Sequence, residues 1–308
     1  MTIMFRLTGV IILTLLVFST VRAEQFTITV GVELVNVLFS VTDDRGRFVS
    51  GLGPEDFVVE EDGELQEVLY FARENELPLT LALLLDTSPS VRPVFEEEQR
   101  TAVAFLESIL RPQDLSLLIG FDRLVTLVQD FTESPSLLAE AIYSLQIGSG
   151  TSVYDAVFLA SEDKLRDEAG RKAIILISDG EDTTSRVQLN EALIAAHQAD
   201  AIVYSISNSL QRRRGFFGRR GPASGDIQTL EELSEETGGA VFVLEAQDEF
   251  DSIFAQIAEE LRTQYSLGYV STNPARDGKY REIQIRPRDR NLRVRARRGY
   301  YAPSEDDR

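Results

Sequence analysis

Residues 79–85 read LTLALLL, and the run ends in Asp86-Thr87-Ser88-Pro89-Ser90. A near-continuous apolar stretch of this length, bounded by Pro78 and Pro89, predicts a strand covered on both faces, as central parallel strands are. Similar runs return at 115–121, 173–178, 201–207 and 240–244, and 126–130 predicts a shorter antiparallel edge strand. Between them, apolar residues recur at helical spacing over 94–110, 135–145, 152–166, 187–199, 227–237 and 249–262. Gly170 and the Gly238-Gly239 pair stand where helices should stop. Strands alternating with helices predict an α/β class, a doubly wound and mainly parallel sheet with helices on both faces.

The flanks change character. Residues 26–71 read as β structure: β-branched and apolar residues at 30–41, a turn at Asp43-Asp44-Arg45-Gly46, and a short segment from Pro54 into Val58-Val59-Glu60. Asp62-Gly63 predicts a tight hairpin turn before a strand at 65–71. After Thr263, strands are expected at 265–270, 280–286 and 292–297, with turns at Asp277-Gly278 and Arg290-Asn291. Three short strands alone bury little core. The two flanks are therefore expected to pack as one smaller all-β, sandwich-like module from which the α/β part projects as an insertion. The organisation read from the chain is 1–23, 24–76, 77–262 and 263–308.

Composition refines this picture at three points. A chain of 308 residues that is 43% hydrophobic suits one large domain plus a smaller one. Residues 1–23 carry Arg6, an apolar run over 7–18, and Val21-Arg22-Ala23, the pattern of a cleaved signal peptide, so the protein is expected to be secreted or periplasmic. No later stretch is apolar enough to span a bilayer. The net charge is −19, and cleavage would remove two arginines and make it more negative. Such a body repels nucleic acid and anionic membranes. Cysteine is absent, which excludes disulfides and thiolate metal sites.

Candidate chemistry gathers where strands end. Asp86, Ser88 and Ser90 fall in the loop after the first buried strand, at the rim where open α/β sheets bind ligands. Three oxygen-bearing side chains at alternate positions suggest a hard divalent cation. Gly148-Ser149-Gly150-Thr151 opens the helical segment 152–166, and strand 173–178 ends in Asp179-Gly180. Read bare, Ser88 and Ser90 could instead cap the next helix and Asp179-Gly180 could be a plain turn.

The combination of Asp-x-Ser-x-Ser, a Thr after a glycine pair, and Ser-Asp-Gly resembles the von Willebrand factor type A domain. In that family the corresponding residues form the metal-ion-dependent adhesion site. The resemblance implies that Ser88, Ser90 and Thr151 offer hydroxyl oxygens, and that Asp86 and Asp179 act directly or through water. Magnesium is the expected ion, with manganese able to substitute and calcium less favoured. Asp122, Glu181 and Asp182 lie near the site in sequence and are not assigned as ligands. The stretches VTDDRGRFVSGLGPEDFVVEEDGELQEV, QYSLGY and RRGYY extend the likeness to bacterial secreted proteins related to this domain, over almost the whole mature chain.

Residues 211–222 read QRRRGFFGRRGP, against the acidic trend of the chain. This loop follows the strand at 201–207 and should leave the same rim. In the strand order the resemblance implies, that strand lies two places from the one ending in Asp86, about 10 Å away. Long loops are more often functional or solvated than structural. Here Arg212, Arg213, Arg214, Arg219 and Arg220 could steer an acidic partner, with Phe216 or Phe217 as an anchor.

An enzyme is not expected. His197 is the only histidine, and neither GxSxG nor GxxxxGK[ST] occurs. The leading expectation is a non-enzymatic binding protein whose cation recognises an acidic group on a protein ligand. A structural or assembly subunit that uses metal for stability or oligomerisation is the alternative, and a hydrolase with an unrecognised carboxylate pair comes third.

Overall fold

The computed structural model describes residues 34–73, 77–207, 225–244 and 250–304. The expected signal segment 1–23 lies outside them.

Leu34–Thr42 (β1) buries Val35, Val37, Phe39 and Val41, the alternation of a strand with one face inward. A single 3₁₀ turn, Pro54–Asp56, leads into Phe57–Glu61 (β2). Asp62 (φ 49°) and Gly63 (φ 85°) then make the two-residue turn that the Asp-Gly pair predicts, into Glu64–Gln66 (β3). The expected strand at 65–71 is not one strand. It breaks at Glu67, and Val68–Arg73 (β4) joins a different sheet. The inward faces explain the break: Gln66 is buried on one side while Phe71 packs with Phe39 and Phe57 on the other.

The central segment alternates as its pattern predicts. It runs Leu79–Asp86 (β5), Phe95–Ile109 (α1), Leu115–Phe121 (β6), Val125–Thr132 (β7), Pro135–Ser144 (α2) and Val153–Phe158 (α3). Arg171–Ser178 (β8), Leu189–Gln198 (α4), Ala201–Ser207 (β9), Gly225–Thr237 (α5), Val241–Val243 (β10) and Phe250–Thr263 (α6) follow. The strand order is β10-β9-β8-β5-β6-β7, parallel throughout except for the antiparallel edge strand β7. Leu81, Leu83 and Leu85 face α1, α2 and α6, whereas Ala82 and Leu84 face α3, α4 and α5. A strand buried on both faces has no polar side to show, hence its unbroken apolar run.

One expected helix, 152–166, changes pitch. After α3 the turns widen to π geometry over Leu159–Leu165, and Arg166 N donates to Ser161 O at 3.0 Å. With α spacing the residue after Ala160 on the inner face would be Lys164. The wider turn places Leu165 there instead, fully buried, and frees Lys164 to pair with Asp130 at 2.8 Å.

The chain then returns to β structure with Tyr265–Val270 (β11), Tyr280–Pro287 (β12), Arg293–Ala296 (β13) and Gly299–Tyr301 (β14), the last of which the sequence pattern does not announce. Two four-stranded sheets form, β13-β1-β11-β4 and β14-β12-β2-β3, each mixing strands from both flanks. Between them lie Phe39, Phe57, Leu267, Ile283 and Ile285, with Phe39 stacked on Tyr265 at 5.4 Å between ring centres. This is the all-β module expected from the two flanks. No helix among the described residues is long and apolar enough to cross a membrane.

Candidate metal centre

Asp86 ends β5 fully buried, because the strand it closes is the middle of the sheet. One carboxylate oxygen accepts from Ser88 N at 2.7 Å and the other from Ser178 Oγ at 2.6 Å. Burial pushes its pKa up to about 6, opposed by the bonds from Ser178 and Ser88, with the charge of Asp179 adding to the rise. Ser88 Oγ and Ser90 Oγ lie 2.8 Å apart. Neither caps a helix: Ser88 makes no capping bond to the 3₁₀ turn Pro89–Val91, and the residue before α1 is Val94.

The second loop is fastened to the first through backbone. Thr87 N donates to Phe121 O at 2.7 Å, and Gly148 N donates to Thr87 O at 2.8 Å. Asp122 holds the glycine turn, since its Oδ2 accepts from Ser149 N and its Oδ1 from Leu124 N, both at 2.8 Å. A Cβ on Gly148 would sit 1.6 Å from that Oδ2, so the close approach requires glycine.

Thr151 is 5% exposed, and its backbone is gripped from the third loop. Its N–H donates to Thr183 Oγ1 at 3.0 Å, and its carbonyl accepts from Thr183 N and Thr184 N. Asp179 is 4% exposed at the end of β8, where Oδ1 accepts from Glu181 N at 3.1 Å, and Gly180 (φ 83°) donates to Ser178 Oγ. The following residues stitch this loop to α3: Asp182 accepts from Tyr154 N, and Asp155 accepts from Arg186 N and Val187 N.

Asp86, Ser88, Ser90, Thr151 and Asp179 thus stand on three interlocked loops at the carboxyl ends of β5 and β8 and the start of α3. Their donors are three hydroxyls and two carboxylates, all oxygen, a set that fits a hard divalent cation. Among the described residues no group of three or more His, Cys, Asp or Glu is placed to hold a metal. Arg212, Arg213, Arg214, Phe216, Phe217, Arg219 and Arg220 lie outside the described residues.

Two contributors carry no assigned role in the sequence reading. Ser178 is a lone hydroxyl closing an apolar strand, a signal that could have marked it. Asp122 acts on a turn 27 residues away, which spacing does not reveal.

Residues 81–181 match the family model of the von Willebrand factor type A domain. No curated protein matches the chain. Among solved structures, an aerotolerance-related membrane protein from Bacteroides fragilis NCTC 9343 is 19% identical with a TM-score of 0.48, covering 60% of this chain and 98% of that one. BatB from Bacteroides thetaiotaomicron is 18% identical with a TM-score of 0.48, covering 60% and 100%. Proximal thread matrix protein 1 from the mussel byssus, with a zinc-occupied MIDAS motif, is 14% identical with a TM-score of 0.49, covering 65% and 48%.

Proposed function

Because the chain carries a von Willebrand factor type A domain over residues 81–181, we propose that it is a non-enzymatic binding protein that acts outside the cytoplasm. Asp86, Ser88, Ser90, Thr151 and Asp179 would hold a divalent cation, magnesium or in its place manganese. A bound cation would supply a position at which a carboxylate of a protein ligand completes the coordination shell. The chain's own part is to keep uncharged hydroxyls close to that position, so that the ion stays short of negative charge. Asp86, fixed by Ser178 and Ser88 N, orients the set. The arginines at 212–214, 219 and 220 would steer the acidic ligand.

The observation that carries this reading is the pair Ser88 and Ser90. Their hydroxyls lie 2.8 Å apart at a strand's carboxyl end, and neither is spent on a helix cap. Thermal melts of the full chain with magnesium, manganese, calcium or chelator test it, beside Asp86→Ala and Ser88→Ala. A saturable rise in midpoint, lost in both variants, is expected, because a ligand of the folded state stabilises by mass action. Absence of any rise at millimolar metal would discard the cation. A chelator-reversible pull-down then separates cation-dependent partner binding from mere stabilisation. Replacing the five arginines by serine should slow association and flatten its salt dependence.

A further inference from the structure

At the other rim of the six-stranded sheet, a cavity of about 170 Å³ opens between the starts of β8 and β9, the end of α4 and the β module. That is room for about five or six waters at the ~30 Å³ each takes in the liquid. Lys172, the second residue of β8, lines it and is only 8% exposed. Among the described residues nothing forms an ion pair or hydrogen bond with its ammonium group, and it senses Asp200, Glu168 and Asp167 only at longer range. Its stem is buried while its ammonium, partly desolvated, faces the cavity with none of the described residues bonded to it, a position from which it can pair with an anion.

The rest of the wall is fastened in ways that leave donors over. Arg297 spends Nη1 on Asp200 and Nη2 on Asn36 O, and its Nε has no acceptor. Asn36 Oδ1 accepts from Ser266 Oγ at 2.6 Å, which leaves its amide NH₂ to donate. His197 is 6% exposed, with Tyr280 and Tyr301 edge-on at 6.0 Å, and its ring nitrogens bond to none of the described residues. Burial, with the charge of Arg297 adding, pushes its pKa down to about 4, so at neutral pH it is an imidazole with one N–H to donate.

We propose that this cavity binds a small monocarboxylate anion, paired with Lys172 and hydrogen-bonded by His197 and Asn36. Arg297 adds positive potential from behind its bond to Asp200. The carboxylates of Asp200 and Glu168 on the wall disfavour a dianion such as phosphate. Such a ligand would touch both the parallel sheet and the β module. It is independent of the cation site at the opposite rim.

His197 is the only histidine in the chain, so its imidazole gives a single reporter resonance in the cavity wall. The test titrates the full chain, with chelator present, with sodium acetate, propionate or phosphate against sodium chloride of equal ionic strength. The His197 resonance and the melting midpoint are both followed. A saturable shift with acetate or propionate at millimolar concentration is expected, with affinity at least tenfold weaker in Lys172→Met and unchanged in Lys164→Met. Lys172→Met removes a charge that none of the described residues pairs with and keeps most of the apolar stem, so its melting midpoint without ligand should stay close to that of the wild type. No carboxylate response beyond chloride, an equal response in Lys172→Met, or a stronger response to phosphate would each overturn the proposal. The wild-type titration decides the first and third of these without any variant.

Discussion

At the carboxyl ends of β5 and β8 the chain leaves the sheet through Asp86 and Asp179, whereas it enters β8 through Arg171 and Lys172. Both pairs are buried, yet they are used differently. On the amino rim Arg171 is consumed in holding backbone, donating to Leu77 O from Nε and Nη2 and to Leu261 O from Nη1. On the carboxyl rim the loops fasten one another through main chain, Thr87 to Phe121, Gly148 to Thr87 and Thr183 to Thr151, and through the side chains of Asp122, Asp155, Asp182 and Thr183. The hydroxyls of Ser88 and Ser90 are left to each other. Arg171 is spent on a joint, whereas Ser88 and Ser90 are kept for a ligand.

The contrast breaks first at Arg171. Arg171→Met strands the buried Leu261 carbonyl and removes the donors of the part-buried Leu77 carbonyl, and should cost about 3 kcal/mol in urea unfolding. Asp86→Ala, measured without metal, should cost clearly less. Equal losses would erase the distinction between joint and ligand site.

Next comes the pH response of the amino rim. An unfolded histidine titrates near 6.5, while burial and then the charge of Arg297 hold His197 down to about 4 in the fold. Between these values the unfolded chain binds the extra proton. Stability from this residue is therefore full above pH 6.5 and is lost as pH falls toward 4, by about 3 kcal/mol over the whole window. Unfolding free energy measured across that window should fall less steeply in His197→Gln.

A smaller effect sharpens the carboxyl rim. At cation concentrations a hundredfold above Kd, magnesium should add about 2.7 kcal/mol to wild type and nothing to Asp86→Ala. The smallest is Gly148→Ala, where the new Cβ must displace the Asp122 carboxylate. A loss of about 1–2 kcal/mol is expected, with a weaker magnesium shift in the same melt. A magnesium shift of wild-type size would show that the glycine turn is not needed for the cation.

The parallel sheet was legible because strands covered on both faces cannot hide their composition: 115–121 and 201–207 read from the pattern are the strands observed. Asp62-Gly63 was legible because its positive φ angles demand those residue types. The division of 65–71 between two sheets was not, since alternation persists across Glu67 and only tertiary packing separates Gln66 from Phe71. Nor was β14, three residues long and held by pairing with β12. At the candidate centre, Asp86, Ser88 and Ser90 stood together in one short loop, but the bonds from Ser178 to Asp86 and from Ser149 to Asp122 join loops far apart in the chain. The cavity at the amino rim left no trace, because Asn36, Lys172, His197 and Arg297 meet only once both flanks have closed on the sheet.

That closure has a temporal side. Asn36 and Ser266, neighbours across β1 and β11, are 230 residues apart in the chain, and Glu61 waits for Tyr300 over 239. Synthesis proceeds from the N-terminus, so β1 to β4 emerge long before the strands that cover them exist. The α/β segment can order itself in the interval, since its strand neighbours are nearer in sequence. Until the strands from Tyr265 onward arrive, Val37 and Phe39 lack the cover of β11 and Tyr265, and present the kind of surface that aggregates. A nascent chain stalled before Tyr265 would hold an assembled sheet beside an unprotected hydrophobic strand, and is the form most in need of a chaperone.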